Sequence, residues 1–138
     1  LWVGTRKGLN RYDRHKNLFI PYFQDSKDSL SLSNNVIHCL YKDLRGNLWI
    51  GTGAGLNLYV KENDHFVHHA IPGIFPEDII YSIANDKEGR LWIGTDNGWY
   101  RYNFESQELR ICRHVPDDVN SLSVDRSTSL HCYLKGRL

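Results

Sequence analysis

The chain has 138 residues, 41% of them hydrophobic and 12% aromatic, which is the size and composition of one packed domain. The formal charge is only +1 and the charged residues are interspersed, so the chain lacks the basic stripe of a dedicated nucleic-acid binder. Three cysteines (Cys39, Cys112 and Cys132) do not make a disulfide framework, and no apolar run reaches the roughly 18–20 residues of a membrane helix.

In chain order, the first segment is Leu1-Trp2-Val3-Gly4-Thr5. It reads as mid-domain sequence, with the expectation that both ends are cut from a longer polypeptide, and no signal peptide is visible within these residues. Gly8 then opens the segment GLNRYD, and Phe19 follows eleven residues later. The polar connector DSKDSLSLSNN leads to Val36.

The second segment repeats the first. Val36–Tyr41 is short, apolar and rich in β-formers, and predicts a strand. Lys42–Asn47 supplies turn chemistry, because Asp43 can bond its own backbone and Gly46 can take positive φ. Leu48-Trp49-Ile50 predicts a second strand, apolar on both faces and so buried on both. A tight return from Gly51 to Gly55 leads to an alternating third strand, Leu56–Val60. The polar turn Lys61–Asp64 precedes a fourth, Phe66–Ile71.

The third segment carries the same register. LWIGT recurs at Leu48 and Leu91, 47 and then 43 residues on from the LWVGT at Leu1. Asp43 and Asp86 stand six residues before Trp49 and Trp92, and Gly8, Gly55 and Gly98 stand six after Trp2, Trp49 and Trp92. Gly4, Gly51 and Gly94 close the three Trp-x-Gly-Thr cores. The shorter step loses its residues between Ala70 and Asp78. After the connector PDDVNSLSVDRS, Leu130–Leu138 reads as the first strand of a further copy.

Four short antiparallel strands per 43–47 residues is the blade of a β-propeller. The predicted fold is all-β: three tandem four-stranded blades, in a single propeller segment over 1–138. The repeats fall at about 1–35, 36–78 and 79–128, with 129–138 beginning another blade. Two blades have all four strands in sequence and the first lacks its initial strand.

Asp43 to Thr52 followed by Gly55–Tyr59 resembles the two-component regulator propeller repeat, as do Asp86–Thr95 with Gly98–Tyr102, and Leu1–Asp13. The resemblance implies a periplasmic or otherwise extracytoplasmic sensor region of a hybrid two-component histidine kinase, of the type best known from gut Bacteroidetes, with oligosaccharides as ligands. The last segment departs from the pattern, since Tyr133 stands where an Asp is expected.

Candidate sites are few. Trp2, Trp49, Trp92, Gly4, Gly51, Gly94, Gly8, Gly55, Gly98, Asp43 and Asp86 recur and are read as structural positions. One carboxylate per copy is too few for a calcium loop. His65, His68 and His69 cluster in one copy, but neighbours on a strand point to opposite faces, so no metal site is assigned. His38 and His131 each precede a cysteine and are read as repeat history. Gly51-Thr52-Gly53-Ala54-Gly55 is Gly-rich but joins two strands and opens no helix, which is the wrong context for a phosphate loop. Tyr12, Tyr59 and Tyr102 recur and are read as packing residues. Trp99 replaces the leucine of Leu9 and Leu56, so this non-recurrent aromatic is the candidate for stacking on a sugar. No cofactor, no catalytic residue, no nucleic-acid partner and no membrane contact are expected.

The function expected is non-catalytic sensing of an oligosaccharide. A propeller lyase or glycosidase and a protein-interaction scaffold remain as alternatives. A three-bladed segment exposes blade faces and edges. Self-association is therefore expected, with two chains closing a six-bladed ring, or packing as an open arc in a larger assembly.

Overall fold

The structure, a computed structural model, describes residues 1–68, 71–123, 125–126 and 129. The chain is all-β, and every strand pairing is antiparallel. Blade 1 is three-stranded: β1 (Trp2–Thr5), β2 (Gly8–Asp13) and β3 (Leu18–Tyr22). Blade 2 comprises β4 (Ile37–Lys42), β5 (Leu48–Thr52), β6 (Leu56–Val60) and β7 (His65–His68). Blade 3 comprises β8 (Ile80–Asn85), β9 (Leu91–Thr95), β10 (Gly98–Asn103) and β11 (Glu108–Cys112). The further strand expected over 130–138 lies outside the described residues.

Two expected boundaries move. The Trp strand extends through Gly51 and Thr52, which pair with β4 and are not part of the turn. The expected fourth strand of blade 2 reached Ile71, but β7 is His65–His68 and Ile71 sits in a bend. The reason is packing. Ile71 and Ile74 turn in to plug the space between blades 2 and 3 and are buried, at 0% and 4% exposure.

The core lies between sheets, not within them. Alternate residues of a strand face opposite sides, so each blade has one face toward the blade before it and one toward the blade after. Leu9, Leu32, Ile37, Ile50 and Phe66 fill the gap between blades 1 and 2. Trp49, Leu56, Ile80, Ile83, Leu91, Ile93 and Tyr100 fill the gap between blades 2 and 3. Each fully buried leucine or isoleucine contributes about 1.5–3 kcal/mol, so these gaps are where stability resides. The Trp strand of blade 2 supplies both: Ile50 faces back into the first cluster and Trp49 faces forward into the second. That is why it reads as apolar on both sides.

The first strands β4 and β8 lie against each other, and β1 lies against β4. They form the inner edge of the arc, on the side of a propeller's central channel. Both β4 and β8 carry a bulge opposite the Trp-x-Gly-Thr strand, between Ile37 and Cys39 and between Ile80 and Ser82. The bulged residues are His38 and Tyr81.

Candidate functional site

The recurrent residues build the blade. Asp43 Oδ1 accepts from the backbone N–H of Arg45 (2.9 Å) and Asn47 (2.8 Å), which closes the turn. Its Oδ2 accepts from the side chains of Asn47 (2.9 Å) and Trp49 Nε1 (2.8 Å). The same bonds recur at Asp86, which accepts from Glu88 N, Arg90 N and Trp92 Nε1 (2.7 Å). The six-residue offset between aspartate and tryptophan is thus the length of one turn plus one residue of strand. Burial opposes the charge on Asp43, but the bonds from Trp49, Asn47 and Arg45 hold its carboxyl below the usual range. Asp86 is held down in the same way by Trp92 and Arg90.

Each threonine of the Trp-x-Gly-Thr core closes the next turn. Thr5, Thr52 and Thr95 donate through Oγ1 to the carbonyls of Gly8, Gly55 and Gly98 at 2.8–2.9 Å. These three glycines have φ of +108°, +88° and +112°, a region that other residues rarely adopt. Gly51 has a different reason. A Cβ there would lie 2.4 Å from Cys39 Sγ and 2.9 Å from the Ile80 carbonyl oxygen. It is the point where the next blade's first strand presses against the Trp strand.

Trp99 sits on β10 and stacks on Trp92, with ring centroids 4.5 Å apart and planes 28° apart. The Arg101 guanidinium lies over Trp92 at 5.7 Å. In the preceding blades the equivalent face is covered: Trp2 meets Tyr59 at 4.7 Å, and Trp49 meets Phe104 at 6.1 Å. Trp99 therefore occupies a blade-to-blade face, with one side of its ring already taken by Trp92.

The tyrosines of the repeat differ in role. Tyr59 and Tyr22 both donate to Asp64 Oδ1, at 2.6 and 2.7 Å, and Arg11 Nη2 reaches Asp64 Oδ2 at 3.2 Å. This links blade 1 to the turn of blade 2. Burial together with the bond to Asp64 pushes the Tyr59 hydroxyl up to about 12. Tyr12 donates to Asn17 in its own blade, and Tyr102 is buried. His68 Nε2 is bonded to the Ser31 carbonyl, His65 is half-buried, and His69 lies outside the described residues. Among the described residues no group of three His, Cys, Asp or Glu could hold a metal. Cys39 is half-buried and points at the Ile80 carbonyl (3.9 Å), and burial pushes its thiol up to about 12. Such a thiol is packing, not a nucleophile.

Two further surfaces bring polar groups together. The connector side has a cleft of about 470 Å³ lined by Gln24, Asp25, Lys27, Ser33 and His68. Its aspartates are engaged locally, Asp25 with Lys27 N and Asp28 with Leu30 N. The other surface, at the inner rim, is one that the sequence reading missed. The bulges turn His38 and Tyr81 toward each other, with ring centroids 5.1 Å apart at 59°. Arg126, from the connector after blade 3, lies 5.0 Å over the Tyr81 ring. Arg6, from the β1–β2 turn, acts on the other end: burial, with Arg6 beside it, pushes the His38 imidazole below its ordinary value. Among the described residues neither Arg6 nor Arg126 has an acidic partner. Asp96 stands at the turn position equivalent to Arg6 and accepts from Ile79 N at 2.9 Å. One signal in the sequence points here: His38 and Tyr81 each stand ten residues before the leucine of their LWIGT, and both are aromatic.

Comparison with known proteins agrees with this architecture. The family model described as two component regulator propeller matches residues 31–54 and 74–97. No curated protein sequence matches the chain. Among solved structures, the extracellular domain of BT3049 from B. thetaiotaomicron, assigned to a hybrid two-component system, is similar with a TM-score of 0.73 and 25% identity over 93% of this chain. PorZ, a surface component of the type-IX secretion system of Porphyromonas gingivalis, shares the fold at a TM-score of 0.63 and 16% identity over 91% of this chain. The chain spans 15% of the BT3049 structure and 20% of the PorZ structure. The Asp–Trp turns and the threonine-closed turns stand in register in the two stretches, 31–54 and 74–97, that match the two component regulator propeller model.

Proposed function

We propose that this chain is a non-catalytic, ligand-sensing propeller segment of an extracytoplasmic sensor, that its parent is a periplasm-facing sensor histidine kinase, and that its ligand is an oligosaccharide. The observation that carries the reading is the pair of tandem repeat matches, supported by the likeness to the BT3049 extracellular domain. The mechanism is a shift of populations. A ligand that binds one arrangement of the sensor better than another biases it by its differential affinity, without chemistry. The blades suit this role, because they are joined by packed faces and by polar links such as Tyr22–Asp64–Tyr59.

The test is titration calorimetry of the full chain against a panel of oligosaccharides from plant and host polysaccharides. Saturable heat with one glycan class is expected, with no change in the glycan recovered afterwards. Heat from none of them, or recovery of cleaved glycan, removes the reading.

A further inference from the structure

Among the described residues, the inner rim holds a cluster whose chemistry the blade does not use. His38 and Tyr81 are the extra residues of two bulges, on the two first strands that lie against each other. Bulges commonly re-aim a side chain near functional sites. Neither residue is in the hydrophobic clusters that hold the blades together. Arg6, in the β1–β2 turn of blade 1, is near enough for its charge to act on His38, and Arg126, from the connector after blade 3, lies 5.0 Å over the Tyr81 ring. Both arginines are exposed. Three blades and a connector thus converge an aromatic pair and two guanidiniums that, among the described residues, lack acidic partners. A guanidinium is a planar fork that matches a carboxylate.

We propose that Arg6, His38, Tyr81 and Arg126 bind an acidic oligosaccharide, with its carboxylates toward the two arginines and a sugar ring against the His38–Tyr81 pair. This rests on the saccharide-sensing reading above and names the class of saccharide. The His38 and Tyr81 rings are 5.1 Å apart, and the Arg126 guanidinium lies 5.0 Å over the Tyr81 ring. The groups facing His38 are Arg6 and Tyr81, and an added carboxylate would favour its protonated form.

The experiment uses the full chain and three probes: digalacturonate, the neutral disaccharide galactobiose, and inorganic sulfate. Calorimetry gives affinity, and the NMR titration of His38 reports the site. Digalacturonate is expected to bind at least about tenfold more tightly than galactobiose, and R6Q and R126Q each to weaken it by about tenfold or more. The His38 titration midpoint is expected to rise with digalacturonate. R6K and R126K, which keep the charge but lose the fork, are expected to fall between wild type and the Gln variants. Unchanged unfolding midpoints separate lost binding from lost folding.

Equal affinity for galactobiose and digalacturonate, or undiminished binding in both Gln variants, overturns the acidic rim and leaves saccharide sensing standing. A His38 response to sulfate with no digalacturonate binding shows an adventitious ion only and overturns the inference, while the oligosaccharide panel still decides the sensing reading.

Discussion

At the scale of single residues, the recurrent aspartate has a structural task, which sets both its energetics and its pH dependence. Asp43 is 6% exposed and receives four hydrogen bonds, one of them from the 1%-exposed Trp49. D43A leaves the indole N–H and two turn amides without a partner. An orphaned buried polar group costs about 1–3 kcal/mol, so the variant is expected to lose about 3 kcal/mol in chemical unfolding. D86A is expected to lose less, since Trp92 is only half-buried and water can reach its nitrogen. The pH dependence follows from the same bonds. Asp43, Asp86 and Asp64 all have lowered pKa values in the folded chain. Their contribution is present above the unfolded carboxylate value of about 4 and is lost as pH falls through the lower folded values. Unfolding midpoints are therefore expected to be flat near neutrality and to drop below about pH 4. D43N is expected to drop less steeply there.

At the scale of the element, two glycines of one blade separate two reasons for glycine. Gly46 has φ +91° and nothing within 4 Å of where a Cβ would stand, so only backbone strain opposes a side chain there. Gly51 has ordinary φ but stands against Cys39 and the Ile80 backbone. G46A is expected to cost about 1–2 kcal/mol, whereas G51A pushes β8 away and is expected to cost about 3 kcal/mol, at the upper end of overpacking. Equal losses in urea unfolding contradict this division. The same contrast shows what was legible in the sequence. A turn glycine after an aspartate and a two-faced apolar strand are local signals, so the blade, its strands and the Asp43 turn could be read directly. The partner of Gly51 is 29 residues away in sequence, at Ile80, and no local pattern announces it. Trp99 stood out for being non-recurrent, but its surroundings are set by strand parity, which places it beside Trp92 on a blade-to-blade face. The inner rim was hidden for a related reason. Arg6 and Arg126 are 120 residues apart in sequence and converge only through the curvature of three blades.

At the scale of the whole molecule, the repeat makes the chain complementary to itself. Each forward face carries the core tryptophan, Trp2, Trp49 or Trp92, and each backward face carries a tyrosine with a large apolar neighbour: Tyr12 with Phe19, Tyr59 with Phe66, Tyr102 with Leu109. Two of the three forward faces are covered by the next blade, through Trp2 on Tyr59 and Trp49 on Phe104. The third, Trp92 with Trp99 and Arg101, is only half-buried, and the backward face of blade 1 leaves Phe19 52% exposed. The same residue types stand at the same register on these two faces, so one can receive the other as consecutive blades do. Such a contact is head-to-tail, and it ends only where the rotation closes a ring. The 138-residue chain on its own is therefore expected to associate in a concentration-dependent way, with two copies closing six blades as the smallest ring. Sedimentation velocity over a concentration series checks this. F19D and W99D lie on opposite partners of the one contact, so each alone is expected to shift the chain toward monomer, and the two together are expected to add little more. A monomer unchanged across the series removes the self-complementary face. Association that survives both substitutions instead places the contact on the strand edges.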